Sequence, residues 1–398
     1  MARTDADIFI AGAGIAGLTA ALAFSRAGFS VTLAAPHPPV TEAPSDGSDL
    51  RSTAFLQPAK RLFEEIGLWA HLDDDAVPLE GLQIVDAAGH PPQVRDSRAF
   101  RAEDLELECF GWNLINWRVS AALMAALADT PGIDLRLDTA FAEMLSRDTG
   151  ALVRLSSGDS VAARLVIGAD GRDSAVRAAA GIEASTIRYG QKALAFTVSH
   201  AIPHGNVSTE IYHEGGPFTL VPLPESGGRP ASAVVWMNPG PRALELAAMP
   251  TEAFEAEMSA RSCHHLGPLT LTSPRRVWPI VTRRAARLVA ERTALMAEAA
   301  HVVPPIGAQG LNTSLNDLIA LRDLAAEQPA QIGTPAMLAR YERARLSDIT
   351  ARVAAIDLFN RVTRSGQTAV QALRLGGLRT VYDVRPLRQA VMRAGMAG

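Results

Sequence analysis

A short apolar run, DIFIA at residues 7–11, enters the turn GAGIAG at 12–17 and continues into the helical pattern IAGLTAALAFSRA at 15–27. Few local patterns restrict a chain as strongly. Gly12 permits the tight turn, Gly14 lets backbone N–H groups approach a pyrophosphate, and Gly17 lets the helix pack on the strand. After Gly28, FSVTLAA at 29–35 reads as a second strand, which completes the opening unit of a dinucleotide-binding α/β fold. One part is missing. An acid is expected about 20 residues past the glycines, where it would close on the adenosine ribose. The strand here ends Ala34-Ala35-Pro36, and the next carboxylate is Glu42. Loss of one charge-assisted hydrogen bond corresponds to about 1.5–3 kcal/mol of affinity.

The remaining chain of 398 residues is long enough for two domains. Residues 51–72 read as an amphipathic helix with Pro58 near its start, and 118–129 as another. Strands are expected near 134–137, 151–156 and 161–167. The segment 190–238 is strand-rich, and a helix follows near 251–262. A strand at 293–297 leads to a helix from about 311, and 335–365 is strongly helical. The order predicts an α/β architecture: a Rossmann-like nucleotide domain from 1–75, 105–182 and 275–328, a β-rich substrate domain inserted as 76–104 and 183–274, and a helical C-terminal region, 329–398.

Composition excludes several alternatives. A net charge of −4 gives no reason to expect nucleic acid. Cys109 and Cys263 form no C-x-x-C pair, which argues against a disulfide framework and suits a reducing compartment. His264-His265 beside Cys263 lacks a third ligand, so no metal site is expected. The N-terminus lacks the layout of a signal peptide, and no stretch approaches the roughly 20 apolar residues of a membrane span. A cytoplasmic protein is expected.

Two further motifs follow the glycine turn. LVIGADGRDS at 165–174 is an apolar strand running into Asp170-Gly171. MAEAAHVVPPIGAQGLN at 296–312 combines prolines and glycines with little side-chain bulk. In this order the three motifs resemble those of flavin-dependent aromatic hydroxylases of the para-hydroxybenzoate hydroxylase type. DLRSTA at 49–54, GLW at 67–69, FGWN at 110–113, YGQ at 189–191, YERAR at 341–345 and DLFNR at 357–361 are similar to the ubiquinone-biosynthesis branch of that family. These marks span nearly the whole chain.

The resemblance implies one extended FAD. Gly12, Gly14 and Gly17 would face its pyrophosphate, and Arg51 and Arg118 its phosphate or ribityl oxygens, unless these arginines serve as surface ion-pair residues. Asp170 would cap structure or orient the pyrophosphate. Pro304, Pro305, Gly307, Gln309 and Gly310 would form a flavin-facing loop, with Leu311 and Asn312 opening a helix aimed at the ring. The family's Gly-Asp pair is Ala297-Glu298 here, and Glu298 would take over the ribityl contact. His301 is either a brace for this loop or a direct participant.

In such enzymes NAD(P)H reduces the flavin, and oxygen then reaches a phenol through a C4a-hydroperoxide, so no protein nucleophile is needed. The resemblance further implies a polyprenylated phenol or quinone precursor as substrate, held against an apolar wall from YGQKALAFTV and FTLVPL. A quinone-biosynthesis protein assembly and a peripheral position on the inner membrane are implied as well. The arginines Arg340, Arg343, Arg345, Arg352, Arg361, Arg364, Arg374, Arg379, Arg385, Arg388 and Arg393 have two readings, contact with lipid or partners and a solvated helix face. The alternatives in function are a catabolic or secondary-metabolite aromatic hydroxylase and a non-catalytic assembly subunit.

Overall fold

The computed structural model describes residues 3–42, 48–365 and 367–396. Its first sheet grows from the opening strand Arg3–Ala11, which pairs in parallel with Val31–Ala34 on one side and Ser160–Gly168 on the other. Ile133–Arg136 and Thr293–Leu295 extend it outward, also in parallel. Parallel strands covered on both faces need continuous apolar runs, and Ile8, Phe9 and Ile10 are fully buried, as are Leu165, Val166 and Ile167. The helix Ile15–Arg26 covers this sheet with a face so small and apolar that Leu18, Ala20, Ala21, Leu22 and Phe24 are all fully buried.

The second sheet is mostly antiparallel and has nine strands. Its centre is Ala184–Ser199, Arg229–Pro239, Gly216–Ser226 and Val207–His213, to which Gly81–Ala88 and Gln93–Arg101 add from earlier in the chain. Arg276–Ala285 lies along Ala184–Ser199 in the same sheet, and the two-residue strand His301–Val302 follows it. One face of this sheet packs Phe196, Phe218, Leu220 and Trp236 against Phe254 and Met258 of the helix Thr251–Arg261. The opposite face turns toward the loop after residue 302.

The stretch 51–72 is not one helix. It forms a strand, Ser52–Leu56, then the helix Gln57–Glu65 and a single 3-10 turn, Trp69–His71. Two causes outweigh the helical pattern. Ser52–Leu56 finds an antiparallel partner in Gly111–Ile115, and Pro58 lacks the N–H of a helix interior but fits the first turn.

The long helix Pro335–Thr363 clasps both sheets, and it explains the marks YERAR, DLFNR and YGQ physically. The Tyr341 hydroxyl donates to the Leu295 carbonyl at 2.8 Å, and Glu342 accepts from the Leu288 N–H at 2.8 Å. Farther along, Asp357 accepts from the Tyr189 hydroxyl at 2.5 Å, while Arg364 donates to the Tyr189 carbonyl at 2.9 Å and Asn360 to Gln191 at 3.3 Å. Burial and the adjacent Asp357 carboxylate push the Tyr189 phenol up to about 12, so it stays a donor at every physiological pH.

Most C-terminal arginines are engaged within the chain. Arg340 pairs with Glu327, Arg345 with Asp317, Arg352 with Asp348, Arg361 with Asp357, Arg374 with Asp86, Arg379 with Asp96 and Arg388 with Asp104. Most of these pairs hold the C-terminal helices to the rest of the chain, while Arg340, Arg361 and Arg379 keep much of their surface exposed. No helix among the described residues is long and apolar enough to cross a membrane.

Candidate active site

Gly12 sits at φ +108°, where a Cβ would stand 2.4 Å from the Ala169 carbonyl oxygen; a Cβ on Gly17 would stand 2.0 Å from the Gly12 carbonyl oxygen. Only hydrogen fits at either position. Gly14 differs, because a Cβ there would meet nothing within 4 Å. It is the N-cap of its helix, with no side chain capping the turn and no acid in the first turn. The N–H groups of this first turn are thus left without a side-chain acceptor, the arrangement that receives a pyrophosphate. Ala35 is buried at the end of the second strand, its N–H and carbonyl bound to Arg136 and Thr139, and brings no carboxylate to a ribose.

A second opening lies across the sheet at the loop after His301. Ile306 N–H donates to the Pro304 carbonyl at 2.8 Å, and Gly307 and Ala308 are both left-handed, at φ +62° and +56°. The helix Gln309–Glu327 then starts with no side-chain cap and no acid in its first turn. Gly310 is exposed and has only Val303 near it, 3.9 Å from where a Cβ would be. Pro305 and Gly307 are exposed, whereas Pro304 and Ile306 are buried and anchor the loop. The residues present fit an extended dinucleotide with a planar ring at this end: two uncapped helix starts and bare backbone, without bulk in front of either.

The loop is held from behind by Asp317, a residue the sequence reading did not single out. Its carboxylate is fully buried and accepts from His301 Nε2 at 2.6 Å, from Arg345 Nε at 2.8 Å and from the Ala297 N–H at 3.2 Å. Ala297 occupies a left-handed conformation, φ +55°, which explains why a glycine suits the position better. His301 is a buried brace. Asn312 is also fully engaged: it donates to the carbonyls of Ala54 and Ala308 and accepts from the Leu56 N–H, which fastens the helix start to the strand Ser52–Leu56. Leu311 is half-buried beside it. Gln309 donates to the Gly307 and Gly395 carbonyls and accepts from Arg352.

Arg51 is gripped by Asp49 through two hydrogen bonds of 2.8 and 2.7 Å, and its guanidinium lies over the Trp278 ring at 5.1 Å. Asn116 donates to the same aspartate at 2.9 Å. Burial works against the Arg51 charge, but Asp49 and Glu298 more than offset it and raise the guanidinium above its ordinary value. Glu298 is exposed in the 3-10 turn Ala297–Ala299. Arg118 instead covers the Trp117 ring at 4.5 Å and stands 3.5 Å from Asp75. Asp170 is a capping residue here: its carboxylate accepts from the Ser174 hydroxyl at 2.5 Å and the Val176 N–H at 3.0 Å. No group of three or more His, Cys, Asp or Glu placed to hold a metal occurs among the described residues.

The sheet face opposite the loop is apolar, though not by the full set expected. Tyr189, Ala193, Met237 and Ile280 pack with Ile306. Phe196, Phe218 and Leu220 turn to the other face, because alternate residues of a strand point to opposite sides. Farther along the same sheet, on the strand Val207–His213, stands a buried pair, Glu210 and Tyr212, whose phenol donates to the Glu210 carboxyl. Burial pushes Glu210 up, against the Tyr212 hydroxyl and the Gly307 N–H that bond to it and hold it down. Burial, with the nearby Glu210, likewise pushes the Tyr212 phenol well above its ordinary value. A lone acid in the strand pattern VSTEIYH was the available signal.

The family of FAD binding domains matches residues 5–355. Ubiquinone hydroxylase UbiL of Rhodospirillum rubrum is 34% identical over 395 residues, covering 98% of this chain and 89% of that protein. The 3-demethoxyubiquinol 3-hydroxylase of Escherichia coli is 27% identical, covering 90% of each. Among solved structures, p-nitrophenol 4-monooxygenase PnpA from Pseudomonas putida matches with a TM-score of 0.80 at 17% identity, over 100% of this chain and 99% of that one. At that identity the likeness shows the fold.

Proposed function

We propose, from the premise that the chain belongs to the FAD binding domain family, that it hydroxylates the aromatic ring of a polyprenylated phenol in ubiquinone biosynthesis, with NAD(P)H as electron donor. It is an FAD-dependent monooxygenase. The observation that carries the choice of substrate is the wall facing Ile306: Tyr189, Ala193, Met237 and Ile280 are apolar over most of their surface and pack together with it. Such a surface suits an electron-rich ring with a long apolar tail better than a small polar phenol.

FAD supplies the redox chemistry that activates dioxygen. This chain's residues supply the rest. The N–H groups at Gly14 would take the pyrophosphate, with Arg51, held by Asp49 and Asn116, beside it. The uncapped start of Gln309–Glu327 would stabilise negative charge on the reduced ring. Pro304, Pro305 and Ile306 limit loop motion and exclude water from the reacting face.

The test is turnover with a polyprenylated phenol. Purified protein with FAD should oxidise NAD(P)H faster when that phenol is present and place one atom of labelled dioxygen in the ring. A deletion strain should accumulate the unhydroxylated precursor by mass spectrometry. A small water-soluble phenol as best substrate, with normal quinone levels in the deletion strain, would overturn the choice of substrate.

A membrane-resident substrate also calls for peripheral contact with lipid or with an assembly of quinone-biosynthesis proteins. The last helix, Arg385–Met396, buries Met392 and holds Arg388 against Asp104, yet it leaves Leu387 and Val391, one turn apart, exposed with Val384. Replacing Leu387 and Val391 together with glutamate should lower co-flotation with anionic vesicles several-fold and leave Tm essentially unchanged. Equal flotation of both proteins would remove this helix from the reading.

A further inference from the structure

We propose that Asn113, with Ser52 on the same sheet face, is a specificity-determining residue that binds the ring hydroxyl of the phenol. This inference rests on the substrate reading above and names the side chains that recognise the head of that substrate. Asn113 lies on the strand Gly111–Ile115, which runs between Ser52–Leu56 and Val77–Leu79, and it stands opposite Ala54 on one side and Val77 on the other. Its carboxamide is fully buried, yet neither its oxygen nor its nitrogen has a hydrogen-bond partner among the described residues. The Ser52 hydroxyl oxygen, buried as well, has none either.

Opposite residues of an antiparallel pair share a face, and successive residues of a strand change face. Trp112 and Leu114 pack into the core of the nucleotide domain. Asn113 therefore looks the other way, with Ala54 and Ile115, and so does Ser52, which stands opposite Ile115. That face is turned to the inserted sheet and to the flavin-facing loop. Ile115 packs against Leu223, Ala231 and Ala233, while Ala54 belongs to a cluster that Ala308 of the loop joins. The strand Arg229–Pro239 links this place to the apolar wall: after Ala231 and Ala233, the next residues on its same face, Val235 and Met237, pack with Ile306. Asn113 and Ser52 thus look onto the sheet face that Ile306 covers.

A buried amide whose donor and acceptor both lack partners weakens the fold, and a leucine of the same branched outline would not. Which way round the amide is placed makes no difference, since both of its ends are without a partner. A phenol hydroxyl answers this pair of side chains. Its O–H donates to the Asn113 oxygen while its own oxygen accepts from the Ser52 hydroxyl, or it accepts from the Asn113 N–H and donates to Ser52. The wall cannot do the same, because the Tyr189 hydroxyl is already engaged by Thr282 and Asp357. The ring hydroxyl is thereby directed to the three-stranded sheet, and the apolar tail is left to the wall.

The test uses holoenzyme and a pair of probes, ortho-farnesylphenol and its ring-deoxygenated twin, farnesylbenzene. Kd is read from the perturbed visible flavin spectrum, and Tm is read without ligand. The wild type should bind the phenol on the order of tenfold more tightly than the twin. Asn113→Leu should bring that ratio to within about twofold and raise Tm, because an apolar group replaces an unpaired buried amide. Ser52→Ala should lower the ratio by less. Leu220→Ala, on the core face of the inserted sheet, should lower Tm and keep the wild-type ratio. A purely structural Asn113 predicts the reverse, a lower Tm with the ratio unchanged. A wild-type ratio in Asn113→Leu would overturn the proposal whatever Tm does, as would a wild type that binds both probes equally. If Asn113→Leu does not fold, wild-type ratios in both Asn113→Ala and Ser52→Ala overturn it. A wild-type holoenzyme that binds neither probe would instead overturn the choice of a prenylated phenol.

Discussion

Asp317→Ala should cost about 3–5 kcal/mol of folding stability, more than any other single side-chain truncation around the site. The carboxylate is fully buried and holds three donors at once: His301, Arg345 and the Ala297 N–H. Removing it leaves the Arg345 guanidinium, only 8% exposed, with its Thr313 and Asp348 partners but without its buried counter-charge. Surface pairs give the scale for comparison. Arg340 and Glu327, 40% and 52% exposed, are worth about 0–1 kcal/mol. Urea unfolding should show the loss, and the double variant Asp317→Ala/Arg345→Met should be less destabilised than the sum of the single ones, since it removes both charges. A loss below about 1 kcal/mol for Asp317→Ala would mean that the network does not hold the loop.

Which parts of this site were legible in the sequence follows from how local their causes are. Gly12 and Gly17 are demanded by contacts within the turn and the strand next to it, so the pattern alone identifies them. Asp317 acquires its role from residues 16, 20 and 28 positions away that share no motif with it. The marks YERAR, DLFNR and YGQ were visible as a resemblance, but their work, clasping the long helix to both sheets through Tyr341, Asp357 and Tyr189, exists only in three dimensions. Residues 51–72 misled because apolar spacing across a strand–helix junction imitates one helix, with Pro58 as the only warning. The C-terminal arginines were visible as a count, but their pairing with acids such as Asp317, Asp86 and Asp104 exists only in the folded chain.

Gly14→Trp should yield a folded, colourless protein with FAD Kd raised on the order of 100-fold or more, the scale reached when a hydrogen-bonded anion site is filled by a side chain. The geometry permits a clean separation of fold from cofactor. Gly14 is exposed and a Cβ there meets no other part of the chain within 4 Å, so a side chain can leave this position without forcing the turn apart. Gly17→Ala is the contrasting variant: its Cβ would lie 2.0 Å from the Gly12 carbonyl oxygen, and the strand–helix packing must open. Thermal melting with and without FAD distinguishes them. Excess FAD at 100 times Kd should stabilise the wild type by about 2.7 kcal/mol and Gly14→Trp hardly at all, while Gly17→Ala should melt early in both conditions. In the deletion strain, Gly14→Trp should leave quinone levels low. Rescue by a Gly14→Trp protein shown to be free of flavin would make the chain a non-catalytic assembly subunit, and wild-type FAD affinity in that variant would move the pyrophosphate away from the turn.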